Sequence, residues 1–137
     1  MHKSSAVRVV YVVDEDAAVR EGLSRLMDAQ GIKAVPCTSV SEFLQQAKGL
    51  RRACVLLDLS TTRRSDPAVR TALRAVATLL PMIGLTSDDD DATRRLAREM
   101  GARSCFRKPV DASALLDSIE WLTEDANRRP GPHTHDD

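Results

Sequence analysis

Aromatic residues are scarce in this sequence, with Tyr11, Phe43, Phe106 and Trp121 standing alone among 137 residues. A core must therefore be filled by Val, Leu, Ile and Ala. No apolar run approaches the roughly 18 residues of a transmembrane helix, and the short polar start from Met1 to Ala6 does not read as a secretory signal. A cytoplasmic protein with no membrane contact is expected. Net charge is also lacking: Lys plus Arg and Asp plus Glu each total 20. A neutral chain has no general attraction to nucleic acid or anionic lipid. The cysteines, Cys37, Cys54 and Cys105, are widely spaced with no CxxC or Cys/His pattern, so they read as small core residues in a reducing compartment. His2, His133 and His135 are all terminal, and a solvated tail is the simpler reading of the last two. With no Ser/His/Asp set, glycine-rich phosphate loop or catalytic histidine, the chain is not expected to be an enzyme.

The chain instead holds short apolar runs alternating with amphipathic stretches. Val7 to Val13 is a β-branched run and predicts a first strand. Val19, Leu23, Leu26 and Met27 fall on one helical face, which Gly31 ends. Ile32 to Pro36 predicts a short second strand, and Pro36 suits a sheet edge. Ser39 and Glu42 form a capping box for a second helix, with Val40, Phe43, Leu44 and Ala47 inward and Gly49 after it. Cys54 to Leu57 then runs straight into Asp58, as a strand buried on both faces would. Ser60 to Asp66 reads as a polar loop, with Asp66-Pro67 opening a third helix. Met82 to Leu85 is a fourth strand, followed by Thr86-Ser87 and a helix after Asp88 to Asp91 with Ala92, Leu96 and Met100 inward. Ser104 to Arg107 is a fifth strand, followed by Lys108-Pro109 and a last helix capped by Asp111. Five βα units imply a parallel sheet covered by helices on both faces.

The strand ends carry the chemistry. Parallel strands gather Asp14, Glu15, Asp16, Asp58, Thr86, Ser87 and Lys108 on one edge, where open α/β sheets bind ligands. Carboxylates crowded there repel one another and invite a hard divalent cation such as Mg²⁺. A lysine and a hydroxyl complete a site for a phosphoryl group, with Asp58 as the nucleophile.

The segments VVDEDAAVREGL, CVLLDL, IGLTS and FRKPV, in this order and spacing, resemble the receiver domain of two-component response regulators, most closely the nitrogen-fixation regulator subgroup. The resemblance covers residues 7–124 and leaves 125–137 as an expected disordered tail. It implies a doubly wound, flavodoxin-like (βα)5 fold with sheet order 2-1-3-4-5. It implies Asp58 as phosphoacceptor, and Mg²⁺ held by Asp14, Glu15, Asp58 and the Ser60 backbone carbonyl. Thr86 would be the switch hydroxyl, Lys108 the phosphate-sensing lysine, and Lys108-Pro109 a cis bond. A histidine kinase or phosphotransfer protein would donate the phosphoryl group. An output protein or a second copy would then dock on the face of the fourth predicted helix, fifth strand and fifth helix, where Arg94, Arg95, Arg98, Arg103 and Arg107 suit an acidic partner. Direct DNA binding is not expected. The alternative is a degenerate receiver acting as a phosphorylation-independent interaction module.

Some positions depart from the family pattern. Glu15 replaces the usual Asp, Thr62 and Asp66 replace a proline and a glycine, and Cys105 replaces the aromatic residue of the last strand. Phe106, one place on, is expected to face the other side of the sheet.

Overall fold

The computed structural model describes residues 9–47 and 52–128. Its strands are β1 (Val9–Val13), β2 (Lys33–Cys37), β3 (Ala53–Asp58), β4 (Met82–Thr86) and β5 (Ser104–Arg107). They form one parallel sheet in the order β2-β1-β3-β4-β5, as the resemblance implied. The helices are α1 (Ala17–Ala29), α2 (Val40–Gln46), α3 (Leu59–Arg63), α4 (Pro67–Val76), α5 (Asp91–Met100) and α6 (Ala112–Arg128). Pro36 costs no ladder bond because β2 is an edge strand.

Strand alternation divides the core between the two faces of the sheet. Val13, Val55 and Leu57 pack on one side with Phe43 of α2, Leu73 of α4 and Met100 of α5. Val12, Cys54 and Leu56 pack on the other with Met27 of α1 and Leu115 and Ile119 of α6. Every residue of β3 is buried, and full burial of a Leu such as Leu56 or Leu57 contributes roughly 2 kcal/mol. The few aromatics are used economically: Tyr11 and Phe43 meet edge to face, with ring centroids 5.1 Å apart.

Several sequence expectations change. The expected polar loop from Ser60 to Asp66 is helical in its first half, because Asp58 caps α3. The fourth and fifth predicted helices are therefore α5 and α6. In α5, Thr93 and Ala97 are buried with Leu96 and Met100, while Ala92 is exposed; the helix is rotated slightly from the expected face. Helix α6 runs to Arg128, past the expected start of the tail, and the rest of that tail, like Val7 and Gly49, lies outside the described residues. Cys105 is exposed, unlike Cys37 and Cys54, because β5 is the other edge strand and has lateral cover on one side only. Phe106 packs with the α1 and α6 side of the core, as alternation required.

Gly101 closes α5 with φ +84°, and a Cβ there would lie 2.9 Å from the Ala77 Cβ. Both backbone strain and a clash with a side chain that cannot turn away oppose substitution. Gly101→Ala is expected to lower unfolding free energy by about 2 kcal/mol in urea titration. Gly22, inside α1 with no atom within 4 Å of a built Cβ, is the control: Gly22→Ala should stabilise by about 0.5–1 kcal/mol.

Candidate functional site

Register brings the site together. Val13 pairs with Leu57, so the next residues, Asp14 and Asp58, emerge side by side at the carboxyl ends of β1 and β3. Thr86 pairs with Arg107, and Lys108 follows directly. The Lys108–Pro109 peptide is cis. Asp14 and Asp58 are only 1% and 4% exposed. Such burial of charge requires a partner, and Lys108 supplies it: its Nζ donates to Asp14 Oδ2 at 2.7 Å and to Asp58 Oδ1 at 2.9 Å. Burial acts to lower the Lys108 pKa, but the bonds and charges of Asp14 and Asp58 outweigh it and hold the amine above its ordinary range.

The remaining carboxylate oxygens are also engaged. Asp14 Oδ1 accepts the Asp16 N–H at 2.9 Å. Asp58 Oδ2 accepts two donors from Thr61, the backbone N–H at 2.9 Å and the hydroxyl at 2.7 Å. Asp58 thus ends β3 and serves as the N-cap of α3. The buried Thr62 hydroxyl donates to the Asp58 carbonyl at 2.9 Å, which further ties α3 to the strand.

Other expected residues turn elsewhere. Glu15 pairs with Arg64 of the α3 C-terminus, and both side chains are about half exposed, so the pair contributes little. The Ser60 carbonyl accepts the Arg64 N–H at 3.3 Å within α3, and helical carbonyls run toward the C-terminal end, away from the capping carboxylate. Thr86 is buried at the same edge, but its hydroxyl donates to the Asp88 carbonyl at 2.6 Å and accepts the Asp88 N–H at 2.9 Å. Arg63 reaches α5, donating to Thr93 Oγ1 at 2.9 Å.

Thr61 was not singled out in the sequence. The available signal was Asp58 with Thr61 three places on, the spacing of an N-cap and the residue it caps. Elsewhere, burial pushes the thiols of Cys37 and Cys54 up to about 11 and about 12. They are neutral at ordinary pH and suited to packing, not nucleophilic work.

The donor set suits a hard cation at two residues. Asp14 and Asp58 already converge on one ammonium, and Mg²⁺ in proteins is commonly held by one or two carboxylates together with water and phosphate. Among the described residues, no group of three or more Asp, Glu, His or Cys side chains is gathered for a metal, because Glu15 faces Arg64. No described helix is long and apolar enough to cross a membrane.

A buried acid pair on one lysine at the carboxyl edge of a 2-1-3-4-5 sheet agrees with the family match: residues 10–120 fit the response regulator receiver domain, and the chain belongs to that family. It is 29% identical over 110 residues to the transcriptional regulatory protein FixJ of Azorhizobium caulinodans, covering 80% of this chain and 52% of that protein. It is 30% identical over 118 residues to the response regulator protein TodT of Pseudomonas putida, covering 86% and 52%. The solved structure of the response regulator StyR matches with a TM-score of 0.75 at 29% identity, over 89% of this chain and 62% of that one. The chain spans about half the length of the curated relatives it matches. Receivers of this family serve two-component signalling, generally bind Mg²⁺ at an acidic pocket, and generally interact with kinases and output domains.

Proposed function

We propose that this receiver accepts a phosphoryl group on Asp58 from a histidine kinase or phosphotransfer protein and signals by protein–protein contact. The observation that carries the reading is the convergence of Asp14 and Asp58 on Lys108 at 2.7 and 2.9 Å. Asp58 is the nucleophile. Asp14 supplies a second buried carboxylate, and Lys108 a fixed positive charge for phosphoryl oxygens. Asp14 and Asp58 would hold Mg²⁺, which when bound neutralises phosphoryl charge during transfer. Glu15 would join through water on leaving Arg64, and the Ser60 carbonyl is spoken for within α3. Thr86 would act as a switch hydroxyl by exchanging its Asp88 bonds for a phosphoryl oxygen. The output surface is the α5–β5–α6 face. There Arg95, Arg98, Arg103 and Arg107 are exposed, while Arg94 is already paired with Asp89 and Asp91. Such a face suits an acidic partner or an acidic patch on a second copy.

Incubation with Mg²⁺ and acetyl phosphate, followed by intact-mass measurement, tests the reading. One phosphoryl adduct is expected in the wild type and none in Asp58→Ala. An adduct of equal yield in the variant would overturn Asp58 as acceptor.

A further inference from the structure

Helix α3 links the acceptor carboxylate to α5, which packs on the same side of the sheet. At its start Thr61 binds Asp58 Oδ2 through both its N–H and its hydroxyl, at 2.9 and 2.7 Å. The same Thr61 oxygen accepts the Glu15 N–H at 3.3 Å. Near its end Arg63 binds Thr93 in the first turn of α5 at 2.9 Å. With 5 residues, α3 is far too short to persist by its own backbone bonds, so its cap and side-chain ties decide whether it forms.

We propose that Thr61 is a positioning residue that reads the charge of Asp58. Its two donors hold Oδ2 and leave Oδ1, beside Lys108, as the accepting oxygen. This deepens the phosphoacceptor reading and rests on it. In the step, Oδ1 forms a bond to the phosphorus of an acyl phosphate donor, and the donor's bridging P–O bond breaks. Its carboxylate leaves with the electron pair, and neither a redox change nor a net proton transfer is needed. Asp58 becomes a mixed anhydride whose Oδ2 is a neutral carbonyl oxygen. Hydrogen bonds to an ionised acceptor are roughly twice as strong as those to a neutral one. Both Thr61 bonds therefore favour the unmodified residue and weaken on phosphorylation. The cap of α3 loosens, Arg63 lets go of Thr93, and the charge change reaches α5 without an aromatic residue at position 105.

Hydrogen–deuterium exchange on the full chain, with and without Mg²⁺ and acetyl phosphate, tests this, with intact mass reporting the adduct in the same sample. In the wild type, exchange of the amides of residues 60–65 and 93–95 is expected to rise about fivefold on adduct formation. Thr61→Ser keeps the hydroxyl and should behave as the wild type. Thr61→Val keeps the branched shape and the backbone N–H donor but removes the hydroxyl donor. Its 60–65 amides should exchange about fivefold faster before modification, with less than a twofold further rise after it. Thermal unfolding checks that Thr61→Val is folded; if it is not, the wild-type and Thr61→Ser arms decide alone. An adduct that leaves exchange at 60–65 unchanged overturns the inference and leaves the phosphoacceptor reading intact. Absence of any adduct in the wild type overturns both.

Discussion

Lys108→Met should lower the unfolding free energy by about 3 kcal/mol at neutral pH, because removing one partner of a buried ion pair strands the other. Here two carboxylates are stranded. Asp14 and Asp58 are nearly inaccessible to water and share Lys108 as their cation. Met matches the aliphatic stem in length, so the loss reports charge and hydrogen bonding, with little contribution from packing. The sign of the pH dependence follows from the raised Lys108 pKa, set against burial by the bonds to Asp14 and Asp58. A lysine whose folded value lies above the unfolded one contributes stability that is fully present below about pH 10.4. That contribution is lost as pH rises through the higher folded value. Wild-type stability should therefore fall on that alkaline limb, and Lys108→Met should lack this part of the fall. Urea titrations of both proteins from pH 7 to 11 check it.

Asp14→Asn should slow adduct formation with acetyl phosphate by about 100-fold, the scale of losing one preorganised electrostatic group at a reacting centre. The substitution keeps shape, and the side-chain oxygen can still accept the Asp16 N–H. It removes one of the two buried carboxylates proposed to hold Mg²⁺, so the Mg²⁺ concentration for half-maximal rate should also rise. Stability should fall by about 1–3 kcal/mol, since Lys108 keeps its bond to Asp58 but loses its bond to a buried carboxylate. A drop in rate without a changed Mg²⁺ dependence would place Asp14 in the service of Lys108 and not of the metal.

These two residues also mark how far the sequence could be read. The gathering of Asp14, Asp58 and Lys108 was legible because it depends only on strand ends. Parallel, in-register strands of β-branched and aliphatic residues deliver whatever follows them to one edge. Helix caps at Ser39 and Asp111 were written locally as well. Helix α3 was not, because Asp58 has two uses: the strand pattern marks it as a site residue and hides its role as a cap for Thr61. The directions of Glu15 and Thr86 escaped for a related reason. Both stand at the expected edge, but competition from Arg64 and from the Asp88 backbone is decided in three dimensions. In α5, Thr93 replaced Ala92 on the inward side because Asp90 starts the helix and Arg63 reaches in to bind the Thr93 hydroxyl.

The most direct measurement is chemical trapping of the phosphorylated residue. An acyl phosphate on a carboxylate is reduced by borohydride to an alcohol, so an aspartyl phosphate becomes homoserine at its own position. After incubation with Mg²⁺ and acetyl phosphate, reduction and peptide mapping should find homoserine at position 58 and at no other aspartate. Homoserine at another acidic residue, or none where the unreduced protein carries a phosphoryl adduct, would contradict the account.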